Sequence, residues 1–392
     1  MSDLLFLAHR VPFPPDRGDK IRSYNILKHL TERHRVHLAT FADDEADVAA
    51  AEALRPMIGR LHVERRQRSR AAAAAVGFVK GQAISVAAFA SPAMMRFVGT
   101  VTAEEPIDGA YIFSGQMAQY APAGRPFAMD FVDMDSEKFA AYAAAAQGPM
   151  RWVWKREAER LFAFEREVAA RAAVSLFVSD AEAALFRDRT GLPDTRVLAL
   201  ENGIDLDRYQ PAPHQAGKAP LIVFTGQMDY PPNIEAAAGF ARDAMPSIRA
   251  RHPDARFAIV GRKPDARLSA LGGRDGVEVT GEVPDVRPWL TQADVVVAPL
   301  RIARGVQNKV LEAMAMGRPI VASPQAFEGI DAMPGRDLIV ADGPRAEVEA
   351  VLALLGDPAR AEALGAAARA RVEARYAWQA RLAPLDDLLE RV

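Results

Sequence analysis

"RGVQNKVLEAMAMGRPIVAS", residues 304–323, reads as a loop, a helix and a short strand. The helix carries a single acid, Glu312, between apolar neighbours Val310, Leu311, Ala313 and Met314. A carboxylate set among residues that ought to be buried is costly unless a ligand or partner uses it. Loop, helix and strand together make part of a βαβ unit, and the same grammar extends outward in both directions. Strand candidates fall at residues 221–225, 257–260, 277–280, 295–298 and 320–322, and earlier at 4–8, 36–41, 110–113, 128–131 and 174–178. Most are short, rich in β-branched or aromatic residues, and bounded by Gly, Pro or Asp. Helix-period segments lie between them. The pattern occurs in two blocks, which predicts an α/β protein of two doubly wound, Rossmann-like domains.

The totals agree with that division. A chain of 392 residues exceeds one ordinary core. A net charge of −2 supplies no global field toward nucleic acid, so none is expected as a partner. With no cysteine, disulfides, thiolate zinc sites and cysteine nucleophiles are excluded, which fits a reducing cytoplasm. The apolar piece in "MSDLLFLAHRVPFP" is short for a signal peptide, and no run of about 18 apolar residues suits a membrane span. "RLHVERRQRSR", between Arg60 and Arg70, is a local basic cluster with two readings. It is a solvated helix face or loop, or it is a patch touching anionic lipid at the inner membrane face.

Ligands of open parallel sheets bind beyond the carboxyl ends of the strands. After the first strand comes "HRVPFPPDRGDKIRSYNIL", residues 9–27, a proline-rich loop running into a helix over 20–30. Backbone N–H groups at such a helix start suit an anion, and Arg17, Lys20 and Arg22 add positive charge; the alternative is a surface turn. Neither G-x-G-x-x-G nor a P-loop is present. In the second block, "FTGQMDYPPN", "IVGRKPD" and "VTGEVPDVRPWLTQADVVVAPL" each place a glycine after a strand, which permits close approach to the backbone. "QPAPHQAGKAP", residues 210–220, marks a joint, and residues 136–173 form a long amphipathic stretch that breaks near Gln147.

At these residues the chain resembles the retaining GT-B glycosyltransferases of family 4. The matching stretches are "ENGIDLDRY", "FTGQMDYPPN", "AIVGRKP", "TGEVPDVRPWLTQADVVVAPL" and "NKVLEAMAMGRPIVAS". "RYAWQARLAPLDDLLERV" looks like the terminal helix that crosses back to the first domain in that fold. The first-domain loop and the 304–320 stretch also resemble the sugar transferases linked to exosortase and PEP-CTERM exopolysaccharide systems. The resemblance implies an acceptor-side domain over 1–205, a nucleotide-sugar donor domain over 206–375, and a crossover helix over 376–392, with the two domains facing a central cleft. It implies no permanently bound cofactor, no metal, and a UDP- or GDP-sugar as co-substrate. The acceptor would be a glycan or lipid-linked sugar, in exopolysaccharide or cell-surface polysaccharide synthesis. Two domains on a short linker with the ligand between them are expected to close as a hinge.

Carried over by position, Glu312 matches the acid that holds the donor ribose hydroxyls, a job suited to two acceptor oxygens. The earlier acid of the family's pair falls on Arg304, a base. The family's basic pair in the first donor-domain loop falls on Gln227 and Asn233, both neutral. A departing diphosphate needs positive charge nearby. Arg304 and Lys309, with the backbone N–H groups of Gly305, Val306 and Gln307, are the candidates to supply it. The alternative is that Arg304 is solvated and Lys309 pairs with Glu312 at i,i+3. Donor-binding candidates are then Arg17, Gly18, Gly226, Gln227, Arg262, Val283, Gly305, Val306, Gln307, Asn308 and Glu312. On the acceptor side, Ser114 and Gln116 stand where many relatives keep a histidine, followed by Asp130, Asp133 and Asp135. These acids read as helix caps, core hydrogen-bond partners, acceptor contacts or metal ligands. In a retaining transfer the diphosphate itself can accept the proton, so no strong base is required. The second reading of the whole chain is a non-catalytic GT-B partner that binds nucleotide or glycan in an assembly complex.

Overall fold

The structure is a computed structural model that describes residues 2–66, 70–213, 219–303 and 306–390. Two compact units divide it: residues 1–202 with 381–392, and residues 203–380.

The first unit is built on a seven-stranded parallel sheet in the order β3-β2-β1-β4-β5-β6-β7. Its strands are β1 (Asp3–Ala8), β2 (Arg35–Ala42), β3 (Leu61–Arg65), β4 (Ile107–Phe113), β5 (Phe127–Val132), β6 (Val174–Phe177) and β7 (Val197–Ala199). The second unit holds a six-stranded parallel sheet in the order β10-β9-β8-β11-β12-β13. These are β8 (Leu221–Thr225), β9 (Arg256–Val260), β10 (Val277–Gly281), β11 (Val295–Ala298), β12 (Ile320–Ala322) and β13 (Ile339–Val340). β1 (DLLFLA) and β8 (LIVFT) are buried along their whole length, because helices cover both faces of a parallel sheet. In each sheet the strand order reverses next to the first strand, between β1 and β4 and between β8 and β11. Such reversals open a crevice at the carboxyl ends of the strands.

Ten of these strands overlap the ten sequence candidates. The three extra strands, β3, β7 and β13, are edges. An edge strand needs fewer apolar residues, so its periodic signal is weak. β3 corrects the reading of the basic cluster as a helix face or loop: Leu61–Arg65 pairs in parallel with β2. Its charges are largely matched, with Arg60 on Glu104 and Glu105, Arg65 on Glu45 and Arg66 on Asp43. Residues 67–69 lie outside the described residues. The long amphipathic stretch is two helices, Asp135–Ala145 and Pro149–Arg171, interrupted where Gly148 takes φ 62°.

Gly203 carries steric necessity: a Cβ there would lie 2.7 Å from Trp378 Cα. The Ile204 N–H donates to the Tyr376 carbonyl at 2.7 Å, and Ile204 bridges Ala377 in parallel. The terminal helix, Trp378–Leu389, begins at that bridge. Within the first unit, Asp386 on this helix takes His29 Nε2 at 2.8 Å and Arg33 Nη1 at 2.6 Å.

Candidate functional site

In the second unit, the crevice at β8 and β11 is lined by the loop after β8 and by the helix Asn308–Ala315. The loop is fixed by backbone contacts: the Gly226 N–H donates to Val260 O at 3.1 Å and the Met228 N–H to Arg262 O at 3.0 Å. A Cβ on Gly261 would fall 1.7 Å from the Gly226 carbonyl, so here glycine is required by the neighbouring loop.

Asn233 stands near the start of the helix Pro231–Asp243 and is buried. Its Nδ2 donates to Gln227 O at 2.9 Å, and its Oδ1 accepts from Lys309 Nζ at 2.5 Å. The same ammonium lies 4.8 Å from the centroid of the Phe224 ring and 3.4 Å from where a Gly226 Cβ would be. An ammonium therefore stands beside the neutral pair Gln227 and Asn233. Burial lowers the Lys309 pKa to about 8, while Glu312 pulls it upward. Glu312 follows one turn later on the same helix. Burial raises its pKa to about 7, against a hydrogen bond from the Tyr209 hydroxyl and the charges of Lys309 and Arg208. The expected burial of Val310, Leu311, Ala313 and Met314 is present. Of the alternative in which Arg304 is solvated and Lys309 pairs with Glu312, the structure gives a Lys309–Asn233 bond with Glu312 acting on Lys309 through its charge.

The remaining donor candidates are placed as follows. Val306 and Val283 are half-buried and pack on the core of the second unit. Gln307 is the N-cap of the 308–315 helix and its carbonyl accepts from Val310 and Leu311. Asn308 and Arg262 are exposed. Arg304 and Gly305 lie outside the described residues. Arg17 and Gly18 belong to the first unit, where Arg17 is the N-cap of the helix Gly18–Thr31 and pairs with Asp19 at 2.9 Å.

The other two bases of that loop do not offer free charge. Lys20 is buried on Asp47 at 2.7 Å. Arg22 is buried on Asp130, with Nη1 also donating to Leu200 O at 2.6 Å and Asn202 Oδ1 at 2.9 Å. Asp130 further accepts from the Tyr111 hydroxyl at 2.7 Å and the Val132 N–H at 3.1 Å. Of the readings offered for the three acids, core bonding is what Asp130 does. Capping falls elsewhere: Met134 is the N-cap of the 135–145 helix without a side-chain bond, and Glu165 takes the Ser136 N–H and hydroxyl.

The acceptor-side candidates gather at the first unit's reversal, after β4. Ser114 sits at φ 77°, a left-handed backbone that a non-glycine residue adopts only when its surroundings enforce it. Its hydroxyl donates to Gln116 Oε1, and Gln116 Nε2 donates to Asp135 Oδ2 at 3.2 Å. Asp133 is on the surface beside them, its pKa raised by partial desolvation and by Glu182 and Asp135. Sequence reasoning passed over His9, at the end of β1. Its ring stacks on Phe113 at 5.8 Å, and its Nε2 lies 3.4 Å from Asp19 Oδ2. Its Nδ1 is buried without a hydrogen-bond partner. Burial lowers the His9 pKa, opposed by the Asp19 bond. An imidazole thus reaches the neighbourhood of Ser114 from the adjacent strand; its signal in the sequence was a histidine directly after a buried strand.

Among the described residues, one His/Asp/Glu group has metal-like spacing, Asp3, His37 and Glu105. It is already satisfied: Arg35 pairs with both acids, Arg60 with Glu105, and His37 Nδ1 accepts from the Arg60 N–H.

Residues 219–357 match the family described as glycosyl transferases group 1. A GDP-mannose-dependent α-(1-6)-phosphatidylinositol monomannoside mannosyltransferase of Mycolicibacterium smegmatis is 29% identical over 250 residues, 57% of this chain and 64% of the relative. The corresponding monoacylated-substrate enzyme of Corynebacterium glutamicum is 28% identical over 211 residues, 49% of this chain and 55% of the relative. The chain thus spans somewhat over half the length of these curated relatives. Among solved structures, Anabaena Alr3699/HepE in complex with UDP aligns over 100% of both chains with TM-score 0.68 at 15% identity. WaaG, a glycosyltransferase involved in lipopolysaccharide biosynthesis, aligns over 98% of this chain and 99% of its own with TM-score 0.63 at 16% identity. The chain has the two-domain α/β GT-B fold, and its second unit matches the glycosyl transferases group 1 family over residues 219–357.

Proposed function

We propose that this protein is a retaining glycosyltransferase that moves a sugar from a nucleotide-diphosphate sugar to a glycan or lipid-linked acceptor. The observation that carries the reading is the Lys309 ammonium lying on Asn233 and beside Gly226, with Glu312 one helical turn away. A cation at the glycine loop suits a diphosphate, and a carboxylate at that spacing suits the ribose hydroxyls. Both groups are held near neutrality by burial, and a bound nucleotide would supply the anion and the hydroxyls that their charged forms need.

In the reaction, the bond between the donor's anomeric carbon and the diphosphate oxygen breaks. A bond from that carbon to the acceptor oxygen forms on the same face. The acceptor proton passes to the departing diphosphate, whose charge Lys309 and Arg304 stabilise. Ser114, Gln116, Asp133 and His9 are proposed to face the acceptor. Arg17 and Gly18 are proposed to add phosphate contacts, tested separately by Arg17→Ala. The curated relatives are named for GDP-mannose and one solved neighbour was crystallised with UDP-glucose, so GDP- and UDP-sugars are the donors to test first. The exopolysaccharide setting rests on the resemblance of the 9–27 and 304–320 stretches.

A second reading, a nucleotide- or glycan-binding partner without turnover, draws on the neutral Gln227 and Asn233. A donor panel read by mass spectrometry separates the two. Slow donor hydrolysis, or transfer to acceptor extracts, is the expected result. Binding of nucleotide sugar without either, across the panel, supports the second reading.

A further inference from the structure

Among the described residues, nine large apolar side chains are exposed, and five of them belong to one corner of the first unit. Phe78 and Val79 end the helix Arg70–Val79, Tyr142 lies on the helix 135–145, and Met150 and Trp152 open the helix Pro149–Arg171. Val79 is 89% exposed and Trp152 61%, values that a solvated surface tolerates poorly for residues this apolar. The corner is built, not accidental. Phe78 stacks on Trp152 at 5.7 Å, and Tyr142 meets Trp154 edge-on at 5.9 Å. The Arg156 guanidinium covers the Phe78 ring at 4.3 Å while bonding Gln82 O and Gly77 O.

The charge in these segments is mostly positive. Lys80, Arg151, Lys155, Arg156 and Arg160 lie in the same turns as the exposed rings. Of the two acids in the same turns, Glu157 is buried on the backbone N–H groups of Ile84 and Ser85, and Glu159 at the surface pairs with Lys155 at 4.0 Å, which leaves Lys80, Arg151 and Arg160 in excess. This differs from the cluster that begins at Arg60, where Arg60, Arg65 and Arg66 each hold an acid. Tryptophan, tyrosine and aliphatic side chains beside a net excess of lysine and arginine match the interfacial zone of a bilayer carrying anionic lipid. No helix of the described residues is long and apolar enough to cross a membrane, so the contact would be peripheral.

We infer that this corner, formed by Phe78, Val79, Met150 and Trp152 with Lys80 and Arg151, docks the protein onto an anionic membrane surface. The inference goes beyond sugar transfer and does not depend on it.

The test is flotation of the full-length protein with vesicles of phosphatidylcholine alone or with about one-third phosphatidylglycerol, at low and moderate salt. Binding is expected only to the anionic vesicles, weakening as salt rises. Lys80→Glu and Arg151→Glu should each weaken partitioning about fivefold or more. Val79→Ser with Trp152→Ser should reduce it at least tenfold. An unchanged far-ultraviolet circular dichroism spectrum and melting temperature for each variant show that it is folded. Equal binding of wild type and variants, or no binding of wild type to anionic vesicles, overturns the inference. So does self-association or capture of another protein that requires Trp152 when vesicles do not. None of these readouts uses a donor sugar, so their failure leaves the transfer reading intact.

Discussion

Glu312 and Lys309 lie one turn apart, and burial pushes each toward its neutral form. The folded protein holds the Glu312 proton more tightly than the unfolded chain does. The stability this adds is complete below about 4.5 and is lost as pH rises through about 7. Lys309 is the mirror case: its contribution is complete above about 10.5 and is lost as pH falls through about 8. Between pH 7 and 8 the ligand-free site is therefore least favourable to the fold. Glu312→Gln should raise the melting temperature at pH 8 by about 2–4 °C and make no difference at pH 4. The same substitution should weaken binding of nucleotide with its ribose by about tenfold, the cost of a lost charge-assisted bond. A Glu312→Gln protein with unchanged nucleotide affinity would remove Glu312 from the site. Glu312 was legible in the sequence because an acid between buried apolar residues demands a reason. Asn233 acting as the seat for Lys309 was not legible, since the two are 76 positions apart and only the fold joins them.

At the scale of elements, the strands buried on both faces were readable as apolar runs, and the edge strands β3, β7 and β13 were not, because sequence and edge position conflict there. The loops show the same division. Gly226 and Gly261 were read as points where a ligand approaches the backbone; for Gly261 the neighbour it accommodates is the Gly226 carbonyl. Gly261→Ala should therefore destabilise the second unit by about 1–3 kcal/mol and lower nucleotide affinity as the 226–230 loop shifts, measured by denaturant unfolding and titration. In the first unit, the helix Gly18–Thr31 is joined to β4 and β5 by Arg22, Asp130 and Tyr111. Asp130→Ala leaves a buried guanidinium unpaired and should cost about 3–5 kcal/mol. Asp133→Ala, at the surface, should cost almost nothing and act only on acceptor KM. Equal destabilisation by the two would contradict the assignment of Asp130 to the core and Asp133 to the site.

Across the whole molecule, two sheets with the same strand order place their reversals at β1/β4 and β8/β11, and each reversal carries a polar cluster. The fold was legible from the repeated βαβ grammar alone. A candidate for chemistry was legible only where a residue departs from its surroundings: Glu312 stands among apolar residues, whereas His9, placed between a buried strand and Arg10, drew no notice. His9→Ala should lower kcat with acceptor while leaving nucleotide affinity unchanged, because His9 belongs to the first unit's cluster. If transfer is retaining, proton NMR of the first product formed will show the donor's anomeric configuration.

The account rests most heavily on the claim that positive charge for the diphosphate has moved to the 304–309 segment, with Lys309 replacing the bases absent at Gln227 and Asn233. Isothermal titration of the full-length protein with UDP and GDP, for wild type and Lys309→Met, tests it directly, with uridine and guanosine as phosphate-free controls. The expected result is a loss of about tenfold or more in diphosphate affinity, at least about 1 kcal/mol, with nucleoside affinity unchanged. Equal affinities of the two proteins for the diphosphates would contradict it.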